Sequence, residues 1–407
     1  MTPKAFSYPT VGQDNIIYIP PYGLTEELNY MLAINPITYA SIKIPLSTNN
    51  TIEKYTFGTV ADTKIYWLPY GESRVLVYNT TTESVDYIDI AWPDGLESCK
   101  GKFVQGHVYK NKLYALPYGE DRALDYAIVV DLELDTAQLI KLNVPTSDCK
   151  KWHQSVIRDG IIYAVPRGGS QAFNYIIEFD CNNLSYILRE SSQFYPGYEQ
   201  SIMKFTTIAI ANGKIYAPPY SYQDDFDFLL TNNQGQWASE RTGITQTTRK
   251  YFTHVKTRNN KLYFPPAGHH VDWNEFLVID GNTGAYKTID IGVGVETKKY
   301  FAGVENSQGI VFFIPRGGCV CQPPEERKQH GDLAQVLVVD SANDSISLID
   351  ISDCFTDSTT IEKYNACCLV NDIIFAMPYG ESDTFHTMLA FDTISKQVIK
   401  TINLNEL

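Results

Sequence analysis

Eight lysines recur at matching places along this chain: Lys4, Lys54, Lys102, Lys151, Lys204, Lys250, Lys299 and Lys363. Each stands 12–14 residues before an aromatic residue, in turn Tyr18, Tyr66, Tyr114, Tyr163, Tyr216, Tyr263, Phe312 and Phe375. A proline follows three residues later, and the next position holds Tyr22, Tyr70, Tyr118, Arg167, Tyr220, Ala267, Arg316 and Tyr379. Ammonium groups attract anions, guanidinium groups pair with oxyanions in a fixed fork, and tyrosines stack and hydrogen-bond. This set is suited to recognition rather than to proton transfer. Like charges gathered on one face repel unless neutralised. Glu72, Glu120, Asp121 and Glu381, which follow Pro-Tyr-Gly, are the internal candidates for that task, and an anionic ligand is the external one.

Strands must carry these residues. The aromatic anchors are spaced by 48, 48, 49, 53, 47, 49 and 63 residues, close to one propeller blade each. In the third copy, "KFVQGHVY" (102–109), "KLYALPYG" (112–119), "YAIVVD" (126–131) and "AQLIKLNV" (137–144) read as four successive strands, the third a buried apolar run. Asp131, Asp180, Asp280 and Asp392 each lie 17 residues after their anchor, which fixes the internal register. No segment keeps a helical period. The sequence therefore predicts an all-β fold, a β-propeller of eight four-stranded antiparallel blades, with seven blades as the alternative. A single domain over 1–407 divides into blades near 1–50, 51–98, 99–147, 148–190, 200–245, 246–294, 295–353 and 359–407. The first copy has its own inner strand in 5–12 and the last its own outer strand in 397–404, so each terminal blade is expected to come from one end of the chain.

The unit of lysine, aromatic, [IL]-Tyr-x-x-Pro and apolar run ending in Asp resembles kelch-like and related β-propeller repeats over nearly the whole chain. It lacks the double glycine and spaced Tyr/Trp of true kelch in most copies, and the Trp-Asp and Gly-His of WD repeats. The resemblance implies the fold and no particular activity, since propellers host binding proteins, scaffolds and enzymes alike.

Strand alternation sends each lysine and the aromatic after it (Tyr55, Phe103, Trp152, Phe205, Tyr251, Tyr300, Tyr364) to opposite sides. The aromatics are expected between blades and the lysines towards the mouth of the central channel, on the face that carries the Pro-Tyr-Gly loops. The candidate ligand-binding set is thus Lys54, Lys102, Lys151, Lys204, Lys250, Lys299, Lys363, Tyr22, Tyr70, Tyr118, Arg167, Tyr220, Arg316 and Tyr379. The function expected is non-catalytic binding or scaffolding on that face, of a protein or of an anionic or glycan-like ligand. The rivals are a glycan hydrolase or lyase at the channel mouth and a structural or receptor-binding part of a larger particle.

A net charge of −14 counts against nucleic acid as a partner and against an anionic membrane surface. No apolar run reaches the roughly 20 residues of a membrane span, and no secretion signal is visible in the opening residues, so a cytoplasmic location is expected, with association with a virion as the alternative. Eight cysteines without a CxxC pair read as reduced thiols, and Cys99 and Cys149 are expected not to be joined. No nucleophile elbow, zinc-protease or calcium-loop motif is present, and neither a catalytic residue, a metal nor a cofactor is expected. "PRGG" replaces Pro-Tyr-Gly at Arg167 and Arg316 and can turn backbone N–H groups to an anion. His269-His270-Val271-Asp272 reads as a solvated loop, while His107 and His153 sit on first strands and could face the channel. Two insertions, 191–201 and 319–332, are candidates for partner contacts.

Overall fold

A computed structural model describes residues 6, 8–23, 28–48, 52–145, 148–169, 171–221, 225–268, 273–293, 299–317, 333–355, 363–379 and 385–404. They form eight four-stranded antiparallel sheets, each with its strands in sequence order, and two short 3-10 turns as the only helical elements among them. These are the blades of an eight-bladed β-propeller. The chain makes two compact units with four sheets in each, residues 5–208 and residues 209–407.

Blade three shows how the sequence builds a sheet. Its strands are His107–Tyr109, Lys112–Ala115, Tyr126–Asp131 and Thr136–Lys141. The third is buried on both sides, which its unbroken apolar run requires, and the fourth alternates as an outer edge does. Regular pairing of the first strand begins at His107, later than the expected 102, because Phe103 meets Pro117 only through an isolated bridge. Blades two, seven and eight keep longer first strands and absorb the same irregularity as bulges, at Tyr55/Gly58, Tyr300/Ala302 and Tyr364/Ala366. The bulge at Gly303 has no room for a side chain: a Cβ there would lie 2.3 Å from the Phe313 ring. The terminal sheets are each built from one end of the chain, with Thr10–Val11 opening the first and Gln397–Asn403 closing the last.

The cores lie between blades. Tyr66, Val77 and Ile88 of blade two pack with Phe103, Leu113 and Ile128 of blade three. Tyr114 and Val129 of blade three pack with Trp152, Ile162 and Phe179 of blade four. In the second unit Tyr263, Phe276 and Val278 meet Tyr300, Phe313 and Leu337 in the same way. The aromatic after each recurring lysine is therefore interblade packing, as its place on the strand predicts.

The register of the aspartates has a local cause. The Asp that ends the third strand accepts backbone N–H groups two or three residues on, as Asp131 does from Glu133 and Leu134, and Asp392 from Ile394 and Ser395. Each is an Asx turn that starts the hairpin to the fourth strand. Four residues after it the chain turns through positive φ, at Asp135, Leu184, Gly284, Asp344 and Lys396.

Candidate functional site at the proline end of the blades

The recurring lysine and the residue after proline are joined first through their backbones. In residues 5–208 a relay of hydrogen bonds runs from blade to blade. Lys54 N–H donates to the Tyr22 carbonyl, Tyr70 N–H to Lys54, Lys102 to Tyr70, Tyr118 to Lys102, Lys151 to Tyr118, Arg167 to Lys151 and Lys204 to Arg167, at 2.9–3.1 Å. In residues 209–407 the same relay runs from Tyr220 through Lys250, Ala267, Lys299, Arg316 and Lys363 to Tyr379, at 2.6–3.2 Å. A tyrosine, an arginine or an alanine serves equally in this backbone belt.

The lysine side chains do not lie open to solvent. Lys54, Lys102, Lys151, Lys204, Lys250, Lys299 and Lys363 are all fully buried. Lys102 Nζ donates to the carbonyls of Cys99 (2.5 Å) and Gly71 (3.1 Å). Lys151 Nζ donates to the Asp148 carbonyl (2.6 Å) and lies 3.1 Å from the Asp125 carboxylate. Lys204 Nζ donates to the carbonyls of Glu199 and Ser201, and Lys250 Nζ to that of Ser221. Lys299 Nζ donates to the carbonyls of Trp273 and Val293 and to Asn274 Oδ1, and Lys363 Nζ to the Leu333 carbonyl. Three of these ammonium groups reach the carbonyl three residues back along their own chain. Neutralisation thus comes mainly from carbonyl dipoles, supplemented by Asp125. Burial lowers the pKa of Lys102 to about 8. Lys4 and Glu381 lie outside the described residues.

The acidic residues expected to pair with these lysines do other work. Glu120 accepts the Tyr70 hydroxyl (2.6 Å) and lies 3.4 Å from Lys150. Asp121 accepts the Lys100 N–H and the Cys99 thiol, and burial, with Asp121 adding to it, pushes that thiol up to about 12. Glu72 is buried close enough to Lys102 to favour its charged form. Cys99 and Cys149 are both free thiols.

The side chains after proline form a row in each unit. In residues 5–208 the Tyr22 and Tyr70 rings stand 6.1 Å apart, and Tyr70 and Tyr118 stack at 6.5 Å. Arg167 Nη1 donates to the Tyr118 hydroxyl at 2.7 Å. The row rests on the residues two after each lysine: Val104 packs under Tyr70 and Tyr118, and His153 meets Tyr118 edge-on at 5.3 Å. In residues 209–407 Tyr220 meets Phe252 at 6.0 Å, and Phe252 stacks on Phe301 at 4.4 Å. Arg316 lies over Phe301 at 4.1 Å and over Tyr379 at 4.4 Å, and donates to Asn365 at 2.8 Å.

Most members of these rows are buried; Tyr22, His153, Phe252 and Tyr379 keep part of their surface in solvent. Tyr8 and Phe57, stacked at 3.7 Å, are also partly exposed, and Phe57 packs on the Tyr70–Tyr118 cluster. The sequence reading missed the positions two after the lysine. Strand alternation marks them, since they face away from the interblade aromatic.

The histidines are enclosed. Burial first, and then Arg167, lowers the pKa of His153 to about 3, and burial lowers that of His107 to about 4. His107 Nε2 lies 2.7 Å from Ser155 Oγ. Among the described residues no group of three His, Cys, Asp or Glu could hold a metal ion. No helix among them is long and apolar enough to cross a membrane. Residues 269–272 and 319–332 lie outside the described residues. The other insertion is part of the fold: Tyr195 is buried against Phe205, its hydroxyl bonds Ser191 and Asn174, and Glu199 and Ser201 supply the carbonyls of Lys204.

No family model and no curated protein matches the chain. Solved structures do. The chain is similar to "Structure of apo AztD from Citrobacter koseri", with a TM-score of 0.56 at 8% identity over 92% of each chain. It is also similar to "Crystal structure of Citrobacter koseri AztD", with 0.54 at 10% identity and the same coverage. At such identities the likeness is one of fold: a β-propeller.

Proposed function

We propose that this propeller is a binding module that takes its ligand or partner at the proline end of the blades, through partly exposed aromatic side chains braced by buried tyrosines and arginines. One observation carries the reading. The backbone belt accepts Tyr, Arg and Ala alike, so the fold does not dictate the side chain after proline. Five of the eight positions nevertheless hold tyrosine and two hold arginine. These types concentrate where proteins recognise ligands and each other. Rings such as Phe57 and Tyr22 offer flat apolar faces of the kind that sugars and aromatic side chains pack against.

The ligand class favoured is a glycan. Phe57→Ala and Tyr22→Ala are expected to weaken binding of an oligosaccharide at least tenfold, with melting temperature changed by only a few degrees, since both positions are partly exposed. Titration calorimetry across neutral and acidic oligosaccharides checks this. Binding that ignores both substitutions, or no binding to any sugar offered, removes the proposal. Incubation of a bound oligosaccharide with the protein and analysis for shortened products separates binding from turnover.

A further inference from the structure

We infer that the ligand site at the proline end contains an oxyanion subsite between blades three and four, built by Arg167, His153 and Thr206, which takes the carboxylate of an acidic sugar; this rests on the glycan-binding reading above.

All three residues, and the Tyr118 that orients Arg167, lie within residues 5–208. Arg167 occupies the place after proline, and its guanidinium is held by the Tyr118 hydroxyl at 2.7 Å and lies over that ring at 5.4 Å. These contacts are with neutral groups, so they orient the cation without discharging it. Thr206 is two residues after Lys204, whose N–H donates to the Arg167 carbonyl at 3.0 Å. Phe205 is buried against Tyr195, so alternation turns Thr206 to the side of the strand that His153 occupies on the preceding blade. The Thr206 carbonyl and His153 Nδ1 are 3.2 Å apart, which ties the two blades together here.

The Thr206 hydroxyl is 2% exposed, and its Oγ1 has no hydrogen-bond partner among the described residues. A buried hydroxyl without a partner costs stability unless something supplies one. A carboxylate oxygen is an acceptor of the right kind: the hydroxyl donates to it while the guanidinium gives it a charge-assisted bond. With Nδ1 donating to the Thr206 carbonyl, His153 is neutral and presents Nε2 as an acceptor, which suits a sugar hydroxyl beside the carboxylate. Lys150, close enough to His153 to disfavour its charged form, adds a second positive group. The stacked Tyr70 and Tyr118 rings beside Arg167 extend the subsite along the row.

The repeat supplies the control variants. Arg167→Tyr places at this position the residue that five other blades carry, and so removes the charge within a backbone arrangement known to hold tyrosine. Arg316→Tyr makes the same change in the other arginine blade. Thr206→Val keeps shape and removes only the hydroxyl. Titration of the full chain with glucuronate, glucose and inorganic phosphate, beside melting curves, tests the assignment. Expected are at least tenfold weaker glucuronate binding in Arg167→Tyr, several-fold weaker binding in Thr206→Val with melting unchanged or raised, and no change in Arg316→Tyr. In the wild type, glucuronate is expected to raise the pKa of His153, read by its ring proton shifts, and salt to weaken glucuronate binding but not glucose binding. Equal affinity for glucuronate and glucose, unaffected by Arg167→Tyr and Thr206→Val, overturns the subsite and leaves the glycan-binding reading standing. Absence of binding to either sugar overturns both. Phosphate binding with the same dependence on Arg167 and Thr206, and none of glucuronate, overturns the sugar as source of the oxyanion.

Discussion

The two ends of a blade are joined to their neighbours by different means. At the proline end the backbone makes the joint, and the side chain after proline varies among tyrosine, arginine and alanine. At the hairpin end the side chains make it. Lys64 and Tyr66 of blade two both bond Asp135 in the hairpin of blade three, at 2.6 and 3.2 Å. Lys261 and Tyr263 of blade six bond Asp344 of blade seven, at 2.7 and 2.5 Å, and Lys287 joins them at 2.8 Å. A joint made by backbone leaves residue type free for recognition. A joint made by side chains fixes residue type and shows a defect when one partner is missing. That defect is present: blade five repeats the lysine and tyrosine as Lys214 and Tyr216, but the hairpin of blade six offers Gly284, and the buried Tyr216 hydroxyl has no partner among the described residues.

Breaking the hairpin clamp should have the largest effect. Asp344→Ala strands two ammonium groups and a tyrosine hydroxyl, and is expected to lower stability by about 2–3 kcal/mol in urea melts. Burial pushes the Asp344 carboxyl up, but its bonds to Lys261, Lys287 and Tyr263 outweigh this and leave it below the usual range. Its contribution is therefore complete above the unfolded pKa of about 4 and is lost as pH falls through the lower native value. The deficit of Asp344→Ala against the wild type should shrink on acidification. A constant deficit down to pH 2 refutes the clamp.

The next test concerns a lysine of the belt. The native pKa of Lys102, about 8, lies below that of the unfolded chain, about 10.4. Below pH 8 the burial penalty is present in full; from there to about pH 10 the native state sheds its proton first, so the wild type gains stability relative to Lys102→Met. A gain of roughly 2 kcal/mol is expected between pH 7.5 and 10. A flat difference over that range counts against burial of this charge.

Repair of the defect should have a smaller effect. A Cβ on Gly284 would lie 3.6 Å from Lys214 Nζ and 3.8 Å from the Tyr216 hydroxyl. Asp135 and Asp344 already occupy the same turn position with positive φ. Gly284→Asp is expected to stabilise by about 0.5–1 kcal/mol, and Gly284→Ala, which carries the backbone strain without the bonds, to destabilise by about 1 kcal/mol. Similar melting of the two variants would mean that the orphaned hydroxyl is of no consequence. Smallest of all should be the effect of exchanging the residue after proline: Arg167→Tyr should melt within about 1 kcal/mol of the wild type, since the belt bonds only its backbone.

The sequence shows the hairpin end more completely than the proline end. Asp131 and its counterparts, 17 residues after each anchor, mark both the strand end and the Asx turn, because a local hydrogen bond ties residue type to position. The aromatic after each lysine was legible as interblade packing for a similar reason. The fate of the lysines was not. Alternation gives the side of the strand a lysine leaves from, but not that backbone carbonyls, which sequence does not distinguish, would enclose its ammonium group. Nor could spacing pair Lys151 with Asp125, or hand Glu120 to Tyr70 and Lys150, since those contacts depend on side-chain reach across two blades.

The belt also bears on how such a protein comes apart. Each of its amides is bonded to an adjacent blade or to its own, never to one further along. Blades then separate like links of a chain, each released when its neighbour has gone, and loss of cohesion spreads from wherever it begins. Pulled from one end, residues 5–208 should yield in blade-sized steps. In amide exchange the N–H groups of Lys102, Tyr118, Lys151 and Arg167 should become labile in the order in which their blades detach, so that four amides on one edge serve as a clock for dismantling the unit.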